Sequence, residues 1–181
     1  MRSLMLIAPL ALALGACQAK EEAKTERPEA PAASVAPAAA APLTSMPTVA
    51  LSGPDAVAAQ KQRHDKFEAM GDAMKALSRE AKAATPDMAV VQNNAGVLAS
   101  SSAALPSWFA PGTGPEAGKT EAKAEIWKTP DDFAAKAKAF NQVALSLNDA
   151  ATSGDAAAFK AAMEPTGKAC KACHDSYRAK D

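Results

Sequence analysis

CKACHDSYRAKD, residues 170–181, closes a chain of 181 residues, and its first five positions govern how the rest is read. Cys170, Cys173 and His174 put two thiols and an imidazole on little more than one helical turn. Such a group suits a redox dithiol, part of a zinc site, or the C-x-x-C-H anchor of covalently held haem. A structural zinc site takes four protein ligands, and the only other imidazole in the chain is His64. A thioredoxin-like dithiol belongs at a helix start within a strand-bearing fold. Here the pair falls near the end of a helical pattern, in a chain with no alternating run of strand length. The haem anchor fits the local geometry. Three helical residues turn about 300°, so Cys170 and Cys173 lie about 60° apart around the axis. Both sulfurs then reach the two vinyl-derived carbons on one porphyrin edge, and His174 falls under the iron. The motif predicts one covalent haem c through Cys170 and Cys173, with His174 as the iron ligand.

The composition leaves room for such a group. Formal net charge is +0, and no Lys/Arg cluster interleaves with aromatics, which argues against a nucleic-acid partner. Hydrophobic residues make up 48% of the chain but aromatics only 4%, because alanine supplies much of the total. Alanine enters a helix without losing side-chain entropy, so this is a helix-former's composition. It also leaves a thin core, which a large cofactor would fill.

The first segment reads as a leader. Arg2 gives a positive start, and Leu4 to Leu14 form an apolar stretch too short to span a bilayer. It ends in Leu14-Gly15-Ala16-Cys17, which resembles a bacterial lipobox and implies that Cys17 becomes the lipidated first residue of a mature lipoprotein. Gln18 follows, and the absence of Asp there favours the outer over the inner membrane. Cys170 and Cys173 then remain as the only other thiols, and export to an oxidising compartment, the periplasm, would make an idle pair a liability. Residues 18–52 are rich in Ala and Pro, carry charge only at their start and show no apolar period. They read as an extended, disordered tether.

From residue 53 the texture becomes helical. A first helix is expected from Pro54 to Ala84, stopped by Thr85-Pro86, with Arg63, Phe67, Met70, Met74, Leu77 and Ala81 along its inward stripe. A second runs from Asp87 to Ala104, with Val90, Val91, Val97, Leu98 and Leu105 on or near one face. A long loop containing Trp108 and Trp127 follows, both taken as packing residues. The third begins at Thr129-Pro130-Asp131-Asp132, where Thr caps and the acids meet the positive dipole end. Phe133, Ala137, Phe140, Val143 or Ala144, and Leu147 form its stripe. Ser153-Gly154-Asp155 ends it and caps a fourth helix carrying Phe159, Met163, Cys170, Cys173 and Tyr177. Pro165 falls inside that helix and predicts a kink or break, since it clashes with the carbonyl of Ala161. Four amphipathic helices over residues 53–181 predict an all-α, antiparallel four-helix bundle with covalently bound haem.

These motifs together resemble the cytochromes c′, the class II c-type cytochromes whose haem motif is C-terminal. GKACKACHDSYR (167–178) is similar to that family's last helix, LPSWFAPGTG (105–114) to its loop after the second, EIWKTPDDF (125–133) to the start of its third, and RHDKFEAMGDAMKAL (63–77) to its first. The likeness covers roughly residues 55–179. It implies thioethers at Cys170 and Cys173, iron ligation by His174, a basic Arg178 near the proximal face, and Arg63 beside a haem propionate. A guanidinium on a core-facing stripe needs an anionic partner, and a propionate would serve. Four residues after Arg63, low-spin relatives carry an iron-binding Met, while cytochromes c′ carry an apolar residue that blocks the distal face. This chain has Phe67, which donates no lone pair. The expectation is five-coordinate iron in an apolar pocket open to NO and CO, serving electron transfer or reversible gas binding with an unknown redox partner.

Two other outcomes stand beside it. Met70, one turn past Phe67, reads as core filler but would give a six-coordinate His/Met electron carrier if the helix rotated slightly. His64 reads as solvent-facing. A haem enzyme removing NO or peroxide is the other class, and the apolar lid argues against it, so a non-enzyme is expected. The family resemblance implies a homodimer through the first two helices.

Overall fold

The computed structural model describes residues 42–180. The leader, Cys17 and the tether up to residue 41 lie outside the described residues. The chain forms α1 (Gly53–Lys82), α2 (Met88–Ala104), a single-turn α3 (Glu125–Lys128), α4 (Pro130–Thr152) and α5 (Ala156–Tyr177), with a 3-10 turn at Leu105–Trp108 after α2. The four long helices make an antiparallel bundle. Among the described residues the only β pairing is an isolated antiparallel bridge between Ala122 and Arg178. No helix among the described residues is long and apolar enough to cross a membrane.

Helix ends follow local chemistry in most places. Asp87 caps α2 by accepting from the Ala89 and Val90 amides, and Asp155 caps α5 through Ala157 and Ala158. Gly154 at φ 74° follows the last turn of α4, a conformation that suits a residue without Cβ. Thr129 departs from its expected role. Its side chain makes no cap bond to α4, because Oγ1 instead donates to the Glu125 carbonyl at 2.9 Å and meets Tyr177 Oη at 2.9 Å. The single turn of α3 just before it supplies that competing acceptor.

Of the kink or break expected at Pro165, the break does not occur, and α5 runs unbroken from Ala156 to Tyr177 with Pro165 inside it. Pro165 and Ala161 both face solvent, so water can serve the carbonyl that loses its amide partner. The proline therefore sits where a missing hydrogen bond costs least.

The core is built around α4. Phe133, Ala137, Phe140, Ala144 and Leu147 are buried along one stripe, and they meet Val91, Ala95 and Leu98 of α2 and Phe159 of α5. Each fully buried Phe or Leu contributes about 1.5–3 kcal/mol, far more than the intervening alanines, whose role is to let backbones approach. A buried amide–hydroxyl pair, Asn141 Nδ2 donating to Ser102 Oγ at 3.0 Å, links α4 to α2. The second helix buries Val91, Leu98 and nearby Leu105, with Val97 and Val90 half-buried.

Neighbouring helices pair α1 with α2, α2 with α4 and α4 with α5, whereas α1 and α5 scarcely meet. On those two helices several expected inward residues, Phe67, Met74, Met163, Cys170 and Cys173, are only partly buried. The bundle has an opening there.

Before α1, residues 44–51 are fastened to the bundle, although they fall inside the stretch expected to be a disordered tether. The Thr44 amide bonds the Ala103 carbonyl at 2.9 Å, the Leu51 amide bonds Pro111 at 2.8 Å, and Met46 packs on the core. Gly112, at φ 80°, passes so close to Leu51 that a Cβ there would collide with the Leu51 carbonyl oxygen.

Candidate functional site

A cavity of about 1390 Å3 occupies the gap between α1 and α5. That exceeds the roughly 300–1,000 Å3 of ordinary small-molecule pockets. Its α5 wall carries Cys170, Cys173, His174, Tyr177 and Arg178, and its α1 wall Gln60, Arg63, His64, Phe67, Met70 and Met74. Leu98, Leu105, Phe109, Ile126, Phe133, Ala137 and Phe140 complete an apolar lining. Every haem-site residue expected from the sequence therefore borders one cavity.

Cys170 and Cys173 are unpaired and half-buried. Burial pushes the Cys170 thiol up, and burial followed by the neighbouring Cys170 pushes Cys173 up to about 11. The pair is thus protonated at neutral pH, unlike the depressed thiols of a redox dithiol. Burial, then the charge of Arg178, holds the His174 imidazole below its ordinary value. It is neutral, the form that offers a lone pair to a metal. Among the described residues no cluster of three or more His, Cys, Asp or Glu is arranged to hold a bare metal ion.

Arg63 is 3% exposed, and the structure explains how a cation tolerates that position. Nη1 donates to Thr113 Oγ1 at 2.9 Å and the Trp108 carbonyl at 3.3 Å. Nη2 donates to the Thr113 carbonyl at 2.8 Å and Thr120 Oγ1 at 3.0 Å. The guanidinium carbon lies 4.9 Å from the Phe109 ring centroid and 5.8 Å from that of Trp127. Desolvation still lowers its pKa to about 10, opposed by Glu116, and no ion pair among the described residues includes it. All four terminal N–H groups are spent on neutral oxygens. Arg63 also borders the cavity. A buried cation without a carboxylate partner, on the wall of an apolar cavity, fits a cofactor that brings its own anionic groups.

Arg178 borders the cavity but is tied at the surface, its Nε donating to Glu121 Oε2 at 2.7 Å. The backbone around it is zipped to the loop, with Lys123 N–H bonding Tyr177 O at 2.9 Å and Ala179 N–H bonding Glu121 O at 2.7 Å. His64 is exposed, as expected, and faces Glu68 at 3.5 Å. Met70 is 8% exposed, packed in the core and also on the cavity wall, so both of its expected roles remain geometrically open.

Sequence reasoning missed the polar frame: Gln60, Thr113 and Thr120 around Arg63, Glu121 against Arg178, and the Tyr177 hydroxyl donating to Asp132 Oδ2 at 2.6 Å. None carries a local motif. The Thr between glycines in PGTG was a turn signal, and only the fold reveals its carbonyl and hydroxyl as guanidinium acceptors.

Helical bundle, terminal C-x-x-C-H and apolar cavity together define a helical c-type cytochrome. Residues 58–178 match the family model described as Cytochrome C', and the chain belongs to the cytochrome c′ family, whose members carry haem c. It is 40% identical over 116 residues to a cytochrome c′ of Pararhodospirillum photometricum, covering 64% of this chain and 92% of that one. A solved cytochrome c′ with ligand-controlled dimer dissociation superposes with a TM-score of 0.65 at 30% identity, over 71% of this chain and all of the other. A nitric oxide complex of a cytochrome c prime variant from Alcaligenes xylosoxidans gives 0.62 at 34% identity, over 70% and 97% of the two chains.

Proposed function

We propose that this chain holds one haem c through thioethers at Cys170 and Cys173, with His174 as the protein ligand to its iron and Phe67 as a non-coordinating lid on the other face. The carrying observation is that Phe67 lines the α1 wall of the same cavity whose α5 wall bears the motif. Haem held there would supply one-electron redox chemistry and a site for uncharged diatomic gases such as NO and CO. The protein's residues do the remainder. The neutral His174 provides the lone pair, and the Arg63 guanidinium on the cavity wall would meet a propionate. Phe67 keeps water away and offers no proton to a bound gas. The resulting protein is an electron carrier or reversible gas binder, not a turnover catalyst. The nitric oxide complex of a similar cytochrome c prime supports this reading.

A second reading has its own observation. Met70 borders the same cavity one turn further along α1, where a thioether ligand would make the site six-coordinate and closed. A visible spectrum of the reduced protein with and without CO separates the two. Broad high-spin bands that sharpen with CO are expected. A sharp low-spin spectrum indifferent to CO would overturn the open site.

The setting belongs to the same proposal. The chain resides in the periplasm, anchored by lipid on Cys17 to the outer membrane, and pairs as a homodimer through α1 and α2. The likeness to a cytochrome c′ with ligand-controlled dimer dissociation supports the dimer. Labelled fatty acid incorporated into the wild type, and lost in Cys17→Ser, is the expected result for the anchor.

A further inference from the structure

Phe67 is only partly buried although it borders the cavity. A ring at a cavity mouth has staggered rotamers that point inward and others that point to solvent. Two aromatic neighbours limit that choice. Phe109 meets Phe67 at 6.1 Å and 63°, and is itself 3% exposed, wedged against Phe133 at 4.8 Å and Trp127 at 6.1 Å. It belongs to the core. Trp108 meets Phe67 edge to face at 5.5 Å and 87°, and it is the half-buried partner.

Trp108 is fixed by the helix that carries the lid. Lys66 Nζ stands 5.0 Å from the Trp108 ring centroid, a cation–π distance, and Arg63 donates to the Trp108 carbonyl. The 3-10 turn Leu105–Trp108 contains Pro106, whose carbonyl accepts from the Phe109 amide at 3.3 Å. Positions 66 and 67 of α1 therefore grip the indole, and Arg63 holds the same residue by its backbone carbonyl.

We propose that Trp108 is a positioning residue for gas entry: its indole is the backstop that keeps the Phe67 ring over the cavity. The inference rests on the open-site reading above. Removing the backstop raises the fraction of molecules whose lid stands aside. Association scales with that fraction, while dissociation from the occupied site does not. An edge-to-face pair contributes an amount equivalent to about a two- to twelvefold change in such a population.

The test measures CO association and dissociation on the reduced holoprotein for wild type, Trp108→Ala, Phe67→Leu and the double variant. A second readout is the 19F spectrum of 4-fluorophenylalanine placed at position 67, which needs no gas. Expected are a two- to twelvefold faster association in Trp108→Ala, unchanged dissociation, a 19F shift toward the solvent value, and no further acceleration in the Phe67→Leu background. Trp108→Leu replaces Trp108→Ala if the latter does not fold, with the same expectations. Unchanged association and 19F shift in the Trp108 variant would overturn the backstop. So would an equal acceleration without Phe67, which would put the indole in the path itself. If wild type takes up no CO, the open-site reading falls, and the 19F arm alone then decides whether Trp108 holds Phe67.

Discussion

The two walls of the cavity are built on opposite plans. The α5 wall concentrates its chemistry in five consecutive positions of one regular helix, where Cys170, Cys173 and His174 need only helical geometry to be placed. The α1 wall draws Arg63 and Phe67 from a helix and then needs Trp108, Thr113 and Thr120 from a distant loop to hold them. The difference teaches where failure is local and where it spreads. Losing an anchor residue removes a bond; losing a frame residue loosens a loop.

The largest effect expected is on the anchor. Cys170→Ser with Cys173→Ser should abolish haem retention after acid–acetone extraction, leaving a colourless precipitate. Red protein surviving in that variant would break the contrast at its root. Next is the frame. Arg63→Leu leaves the Trp108 carbonyl without its donor and the Thr113 carbonyl with Gln60 Nε2 alone, and should cost about 3 kcal/mol of stability in urea unfolding. Arg63→Lys should recover part of that, because a single ammonium cannot reproduce the four-acceptor fork.

Tyr177 sharpens the comparison, since it sits on the anchor helix but is held by α4 and the loop. Tyr177→Phe should cost about 1 kcal/mol near neutral pH. Burial, then Asp132, raises the phenol above its ordinary 10.0, so its contribution is complete below that pH and is lost as pH rises through the folded value. The Tyr177 hydroxyl, then Lys136, depresses Asp132 below its ordinary 3.8, so that contribution is present above 3.8 and is lost as pH falls through the folded value. The difference between wild type and variant should therefore be flat across neutral pH and shrink at both extremes. Smallest is Glu121→Gln. Its partner Arg178 is 48% exposed, so thermal stability should fall by less than about 1 kcal/mol.

This contrast also marks what the sequence made legible. The C-x-x-C-H motif stood out because it is contiguous, and the long helices could be read because Pro54, Asp87, Pro130 and Asp155 punctuate their starts. The α4 stripe was read nearly residue for residue, since a periodic apolar face is a local pattern. Phe67 and Met74 were placed inward but proved half-buried, because the stripe faces a cavity and not a partner helix. The loop frame was invisible: backbone carbonyls of Thr113 and Trp108 bear no side-chain signature. The strap at residues 44–51 was hidden for a similar reason, its ties being mostly backbone amides with the Thr44 hydroxyl and Met46 beside them. Pro165 gave no break because its cost depends on whether Ala161 meets solvent, which no local window reveals.

The position of the motif has a consequence in time. A chain is made from its N-terminus, so α1, α2 and α4 are complete before Cys170 has been joined. Until then Phe133, Phe140 and Leu98 border a half-built trough with no fourth helix to close it. The fourth long helix therefore delivers the closing wall and the C-x-x-C-H motif together. A chain stopped before Cys170 would keep Ala156 to Ala169 of that helix but lose the motif and Tyr177, leaving the wall unfinished.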